Sequence, residues 1–585
     1  MNIQESDILK SLYLEPYVNQ RVLSEKSGHS LGMVNRSIKN LIDEGYLDEH
    51  ICLTEKARRE IAENSPKNAI ILAAGFGMRM VPINTQTPKA LVEVNGETLI
   101  ERLIRQLHEV GIHQIYVVVG YMKEQFEFLI DEYGVELIVN REYGEKNNLH
   151  SLLLASSYIS NTYIIPCDIW CDRNPFNSQE LYSWYMINDL VDDESNVRLN
   201  RKMELVASKD GGNQMVGIAY LVEEDSKIVR ERLKEYDNNK EYNNSFWEET
   251  LIEKDRMILR ARVVHSSDVI EINTYEELRE LDDNSNHLKS DAISLITNVF
   301  NVKEKDILDI EVLKKGMTNR SFLFSCRNQK FIMRIPGEGT EKLVNRRQEA
   351  DVYNKIRDKG ISDDVIYINP LNGYKISRFF EKSRACDPNN ENDLKKCMSM
   401  LRAFHSLDLK VDHSFDIFGG IKYYETLWGD TRSIYRDYEK TKENVFSLKS
   451  IIDSYEKDWC LAHIDAVPDN FLFVAKDGKE EIRLIDWEYA GMQDPHVDIA
   501  MFCIYSLYQK DEVDRLIDLY FENNCKKEVR IKIYCYIAAC GLLWSNWCEY
   551  KRNLGVEFGE YSIRQYRYAK DYYKLVIKEI DNEGR

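Results

Sequence analysis

The sequence lacks any uninterrupted apolar run of the ~18 residues that a membrane-spanning helix needs. Its opening, MNIQESDILK, has no apolar core of the kind that directs secretion. Neither a membrane span nor an exported protein is therefore expected. Proline is scarce, 11 in 585 residues, and no low-complexity tract or internal repeat is present. The twelve cysteines follow no regular framework, which excludes a disulfide scaffold and fits free thiols in a reducing cytoplasm. Cys167 and Cys171 are the closest pair, with no second pair beside them to complete a zinc site. Basic residues are outnumbered, 78 against 98, giving a net charge of −20. Broad, charge-driven nucleic-acid binding is disfavoured, although one local basic face is not excluded.

What is present describes a globular chain: 43% hydrophobic and 30% charged residues. A length of 585 residues exceeds what one core can organise, and two to four domains are expected. The pattern divides them at 1–66, 67–283 and 284–585, with the polar stretch 282–286 as a linker.

Residues 1–66 read as helices followed by a small hairpin. Residues 22–28 form a short helix ended by Gly28. Ser30 is placed to cap the next helix, whose Val34, Ile38, Leu41 and Ile42 share one stripe. The segment resembles a winged helix-turn-helix of the kind found in bacterial transcription regulators. That resemblance implies DNA contact through Ser30, Asn35, Arg36 and Lys39. A helical module that pairs subunits or senses a ligand is the alternative, since Asp43 and Glu44 follow the two basic residues.

From 67 to 283 strands and helices alternate, as in a parallel sheet covered on both faces, with ligands at the strands' carboxyl ends. The central stretch is AIILAAGFGMRMVPINTQTPKAL, beginning at Ala69. Its apolar start reads as a buried strand. Ala73, Ala74, Gly75 and Gly77 then let backbone N–H groups approach an anion, and Arg79 and Lys89 add two cations where a triphosphate would lie. Asp168 ends another buried strand, 162–168, and reads as a magnesium ligand.

The string L-A-A-G-x-G-x-R-x-x-P-x-x-x-x-x-P-K-A-L resembles the signature of nucleotidyltransferases that make NDP-sugars and CDP-alcohols. Asn147-Asn148-Leu149-His150-Ser151-Leu152 and Phe246-Trp247-Glu248-Glu249 resemble bacterial phosphocholine cytidylyltransferases more than sugar enzymes. This implies CTP as substrate and Asn148 and Trp247 as contacts for phosphocholine. The family's second metal aspartate appears here as Asn273. Either Glu271 and Asn273 share the coordination or that metal site is weaker, because Asn brings no charge.

In the last domain, His463-x-Asp465 followed by Asn470, and then Asp486 sixteen residues on, forms the chemistry set of a kinase-like phosphotransferase. A carboxylate, Asp465, takes the proton of the attacking hydroxyl, while Asn470 and Asp486 hold magnesium on the nucleotide phosphates. Residues 313–573 resemble choline and ethanolamine kinases, relatives of the aminoglycoside phosphotransferases. The resemblance implies a protein-kinase-like fold and ATP as donor. It puts Thr318 and Asn319 on the phosphate-covering loop, and Arg334 in place of the strand lysine. Glu349 is then expected as the partner of Arg334. It also implies that Glu488, Tyr489, Trp544 and Trp547 meet the alcohol's cation, with Tyr561 and Tyr566 near enough to close the cage.

The expected whole is a multidomain α/β and α+β enzyme: a winged helix, a Rossmann-like nucleotidyltransferase and a kinase-like phosphotransferase. It would phosphorylate choline with ATP and transfer CMP from CTP to phosphocholine, with Mg2+ at both sites. Ethanolamine or a sugar remains open as substrate, as does a DNA-binding regulator that uses the catalytic domains as sensors. A homodimer is also left open.

Overall fold

The computed structural model describes the chain except residues 84–86, 193–194, 196, 201–202, 209–210, 314–318, 338–339, 341–342, 430, 477–478, 554–557 and 584–585. It forms two compact units, Met1–Leu295 and Ile296–Arg585.

The first unit opens with α1 (Ile3–Leu14), α2 (Gln20–Ser27), α3 (Leu31–Asp43) and α4 (Glu55–Asn64). Gly28 ends α2 at φ 68°, a left-handed cap that glycine adopts without strain. Ser30 occupies the cap position of α3, yet its side chain makes no capping hydrogen bond. An antiparallel bridge between Leu47 and Leu53 is the small wing. Ile8, Leu9, Leu23, Val34, Leu41 and Ala57 form the core of this segment, and Leu181 and Tyr182 from the following sheet domain join it. Lys10 Nζ lies 2.7 Å from Glu180, and the Tyr182 hydroxyl donates to Asp7 at 3.0 Å. The winged helix is thus docked on the sheet domain rather than tethered to it.

The sheet domain contains β1 (Asn68–Ala73), α5 (Leu99–Glu109), β2 (Ile115–Val119), β3 (Glu136–Val139), α6 (Asn148–Leu154), β4 (Thr162–Pro166), β5 (Ile169–Cys171) and β6 (Trp184–Asp192). It continues with β7 (Val197–Leu199), β8 (Glu204–Ala207), β9 (Gly212–Leu221), α7 (Glu223–Asp237), β10 (Arg256–Val264) and β11 (Val269–Glu271). The main sheet runs β3-β2-β1-β4-β9-β6-β10-β8-β7. β1 pairs in parallel with β2 and β4, and β9 turns antiparallel beside β4. Alternate β1 residues enter opposite cores. Ala69, Ile71 and Ala73 meet Ile100, Leu103 and Ile104 of α5, whereas Ile70 and Leu72 meet Leu149 and Leu152 of α6. Helices on both faces bury such a strand completely. A Thr98–Glu101 capping box starts α5.

The stretch 282–286 does not hang free. Asn95 N–H donates to Asp282 Oδ2 at 2.8 Å, and Ser285 Oγ donates to the Glu93 carbonyl at 2.8 Å. Short polar side chains that were expected to suit a linker here bond the neighbouring hairpin instead.

The second unit begins with β12 (Leu308–Val312), β13 (Asn319–Cys326), β14 (Gln329–Pro336), α8 (Arg346–Ile356), β15 (Val365–Ile368) and β16 (Lys375–Arg378). The antiparallel order is β12-β13-β14-β16-β15. Its remainder is mostly helical, and five of its elements help to frame the site. They are β18 (Cys460–Ala462), preceded by the short β17 (Ser383–Ala385), and the helices α9 (His496–Tyr505), α10 (Lys527–Asn553) and α11 (Glu560–Glu583). The core surrounds α10, whose buried residues run from Ile531 to Lys551 almost without a break.

Candidate active sites

In the first unit, β1 and β4 end side by side, and the loops that leave them line a cavity of about 290 Å³. Ala74, Gly75, Gly77, Arg79, Lys89 and Asp168 all lie on it, while Ala73 stays inside the strand. Gly77 has φ 64°, and a Cβ there would sit 3.2 Å from the Lys89 Cβ. Glycine is therefore required both for the turn and for the close passage of Lys89. Lys89 is 8% exposed. Its Nζ lies 2.5 Å from Asp168 Oδ2 and donates to Asn273 Oδ1 at 2.8 Å. Burial, then the charge of Asp168, raises the Glu271 carboxyl, while the Asn273 side chain bonds it and opposes the rise. Burial, with Asp168, also pushes the Cys167 thiol up to about 12, so it is protonated here. Asn273, which was expected to share a metal with Glu271, links Glu271 to Lys89.

Asn148 lies on the cavity and accepts from the Trp247 N–H at 2.8 Å. The expectation for Trp247 itself is corrected. The ring is 1% exposed and packs in the core with Tyr185, Leu233 and Leu251, because a large apolar ring gains more from full burial than from a wet cleft. Phe246, 59% exposed, lines the cavity instead, as does Tyr143. Burial pushes the neighbouring Glu248 carboxyl up to about 7, and the Tyr185 hydroxyl donates to it at 3.1 Å.

In the second unit the catalytic loop leaves β18. Asp498 of α9 organises it: Oδ2 accepts from His463 N–H at 2.9 Å and Oδ1 from Ile464 N–H at 2.7 Å. His405 Nε2 stands 2.9 Å from the same carboxylate. These bonds hold Ile464 at φ 69°, a left-handed conformation that a β-branched residue adopts only under constraint. His463 is fully enclosed; burial lowers it to about 4, so it is a neutral structural imidazole beside the Ile485 carbonyl.

Asp465, Asn470 and Asp486 line one cavity of about 820 Å³. The Asn470 amide donates to the Asp465 carbonyl at 2.8 Å and to its carboxylate at 3.1 Å. Burial, then the charges of Asp486 and Glu488, hold the Asp465 carboxyl well above its usual range. Asp486 is also raised, chiefly by burial, against the pull of Lys375 and Arg334. No cluster of three or more His, Cys, Asp and Glu arranged to hold a metal occurs among the described residues. The donors present suit Mg2+, which takes one or two carboxylates and completes its shell with water and phosphate oxygens.

Arg334 and Glu349 meet as expected, with Nη2 donating to Oε2 at 2.9 Å. Burial alone would raise Glu349, but Arg334, with Lys375 and Arg346, outweighs it and keeps the carboxyl below its ordinary value. Sequence reasoning missed Arg346. It bonds Glu349 at 3.0 Å and Glu488 at 3.2 Å. Glu488, expected to face the substrate's cation, lines the cavity and is bonded there by an arginine. Lys375, opposite Arg334 in the sheet register, bonds Asp363 at 3.1 Å; both line the cavity.

The cavity's other end is aromatic: Tyr489, Trp544, Trp547, Phe558 and Tyr561 line it. Trp544 stands edge-to-face with Tyr489 and with Trp547, at centroid separations of 5.6 and 5.5 Å. Tyr566 does not join them. It stacks on Tyr435 at 3.8 Å and bonds Asp437 at 2.9 Å. Thr318 lies outside the described residues, and Asn319 begins β13, of whose side chain nothing is described. Ser30, at the cap of α3, and Asn35, Arg36 and Lys39 on it are all exposed.

Comparison with known proteins matches three stretches of the chain. Residues 310–566 match the choline/ethanolamine kinase family, 69–176 the MobA-like NTP transferase domain, and 1–48 a winged helix-turn-helix DNA-binding family. A choline-phosphate cytidylyltransferase of Haemophilus influenzae is 30% identical over 222 residues, 37% of this chain and 95% of that protein. One from Streptococcus pneumoniae is 46% identical over 117 residues, covering 20% of this chain and only 51% of that enzyme. The crystal structure of choline kinase LicA from Streptococcus pneumoniae aligns with 49% of this chain and 100% of its own, at 28% identity and a TM-score of 0.43.

Proposed function

Because the chain belongs to the choline-phosphate cytidylyltransferase family over its first unit's sheet and carries a choline/ethanolamine kinase domain in its second, we propose that it converts choline to CDP-choline in two steps. In the kinase site Asp465 accepts the proton of the choline hydroxyl as that oxygen bonds to the γ-phosphorus of ATP, and ADP leaves with the electron pair of the broken bond. Asn470 and Asp486 would hold Mg2+, which offsets phosphate charge when bound. In the cytidylyl site a phosphocholine oxygen bonds to the α-phosphorus of CTP, and pyrophosphate leaves with the electron pair of the broken bond. Arg79 and Lys89 offset the charge, and Asp168 would hold the metal there. ATP, CTP and twelve free thiols all suit the cytoplasm.

One observation favours choline over ethanolamine. The aromatic wall offers ring faces, and the carboxylate beside it, Glu488, is already bonded by Arg346. A trimethylammonium needs only ring faces, whereas a primary ammonium would leave N–H donors unsatisfied. The test is a coupled assay of the purified chain with ATP, CTP and magnesium, offering choline, ethanolamine or a hexose. A preferred hexose, or no nucleotide turnover with choline, would sink the reading.

The exposed polar residues of α3 support a second role, contact with a DNA major groove. Selection from a random duplex pool tests it; no enriched site would exclude it.

A further inference from the structure

Beside the cytidylyl cavity lies a cluster of charged side chains that the roles above leave unused. Lys146 Nζ stands 3.0 Å from Glu142 Oε2 and 3.3 Å from Asp237 Oδ1. Asp237, at the end of α7, also bonds His150 Nδ1 at 2.7 Å. Lys146 lies on the cavity with Asn148 and Phe246, so the cluster opens on the site and is more than a surface ion pair. Its lining segment is pinned in place: Asn147 N–H donates to the Asn243 carbonyl at 2.8 Å, and Trp247 N–H to Asn148 at 2.8 Å. Burial works against the ammonium's charge, but Glu142 and Asp237 outweigh it and hold the group above its ordinary value.

The cytidylyl step must bring a second phosphate, itself dianionic, up to the triphosphate. Arg79 and Lys89 belong to the glycine-loop side, where the nucleotide's phosphates are bound. The incoming phosphate needs its own cation, on the side where its amine is held. In phosphocholine only two carbons separate the phosphate ester oxygen from the nitrogen. Phe246, Tyr143 and Lys146 line the same cavity, so an amine held against either ring leaves its phosphate in the space that Lys146 faces.

We propose that Lys146, held by Asp237 and Glu142, is the residue that binds the phosphate of the incoming phosphocholine. This rests on the reading that the first unit transfers CMP to phosphocholine. Lys146 donates hydrogen bonds to the attacking phosphate and transfers no proton. The bond made joins that phosphate's oxygen to the α-phosphorus of CTP, and the bond broken releases pyrophosphate. Asp237 and His150 act through Lys146 as positioning residues.

The experiment compares wild type, Lys146→Met, Lys146→Arg and Asp237→Asn in the full chain. It reads initial rates with CTP or phosphocholine varied, and phosphocholine binding by calorimetry. Lys146→Met is expected to raise KM for phosphocholine at least tenfold, the size of one charge-assisted hydrogen bond, with KM for CTP changed less than twofold. Lys146→Arg should recover most of the loss, and Asp237→Asn should fall between. CTP binding by the same preparation, read by calorimetry, reports that the first unit of each variant is folded. An unchanged phosphocholine KM, or equal rises for both substrates, overturns the role of Lys146 while leaving the cytidylyl reading intact. Wild-type protein that neither binds phosphocholine nor forms CDP-choline overturns both.

Discussion

Arg346 reaches Glu488 at 3.2 Å across 142 residues of chain, and the same guanidinium holds Glu349, the partner of Arg334. Two carboxylates and two arginines thus form one buried group, of which Arg334 and Glu488 line the kinase cavity.

Amine recognition should therefore depend on aromatic faces. Each cation–π contact contributes about 0.5–2 kcal/mol, so Trp544→Leu or Trp547→Leu should raise KM for choline roughly twofold to thirtyfold with little change in kcat. Choline should exceed ethanolamine in kcat/KM. Equal kcat/KM values for the two amines in wild type would contradict this.

The two sites should fail separately. Asp465→Ala should lower the kinase rate by about 10²–10⁴-fold and leave CDP-choline formation from supplied phosphocholine unchanged. Lys89→Met should do the reverse, with a loss of about 10²–10³-fold. Assaying each half-reaction on both variants checks the pair, and either variant losing both activities would refute independent sites.

Asp498 should matter although it touches no substrate. Asp498→Ala strands two buried N–H groups, at about 1–3 kcal/mol each, and releases the left-handed Ile464. The expected result is a kinase-unit melting transition shifted downward and a fall in kcat larger than any change in KM for ATP.

Asp494 provides a stability and pH test. It is fully buried and lies 2.6 Å from Lys532 Nζ. Burial would raise it, but His496 and Lys532 outweigh that and hold it at about 2. A folded-state value below that of the unfolded chain, about 3.9, means its contribution is complete above roughly pH 4 and is lost as pH falls through about 2. Asp494→Ala should cost about 3–5 kcal/mol, because Lys532 is left charged and buried. Urea unfolding at pH 7 and pH 3, followed on the kinase unit, measures both; a flat response in wild type would refute the pairing.

Much of the chemistry was legible because it is local. The glycine loop, Lys89, Asp465, Asn470 and Asp486 follow strands at short, regular spacings, and a phosphate or a metal imposes those spacings on a single stretch of chain. Periodicity likewise predicted α5 and the strands on either side of it. Partnership and burial were not legible. Trp247 reads as a ligand aromatic, yet it fills the core while its neighbour Phe246 lines the cavity. Glu488 reads as a counter-ion to the substrate, and it lines the cavity with an arginine, Arg346, that the spacing did not announce. Asp498 and Lys146 carried no signal of their own: one is an acid on an apolar helix, the other a lysine in a polar turn. The sequence by itself determined which reactive groups exist and which strand ends present them. Only the tertiary structure decided which of them are already paired, because a charge or a ring is satisfied by whatever distant segment the packing brings against it.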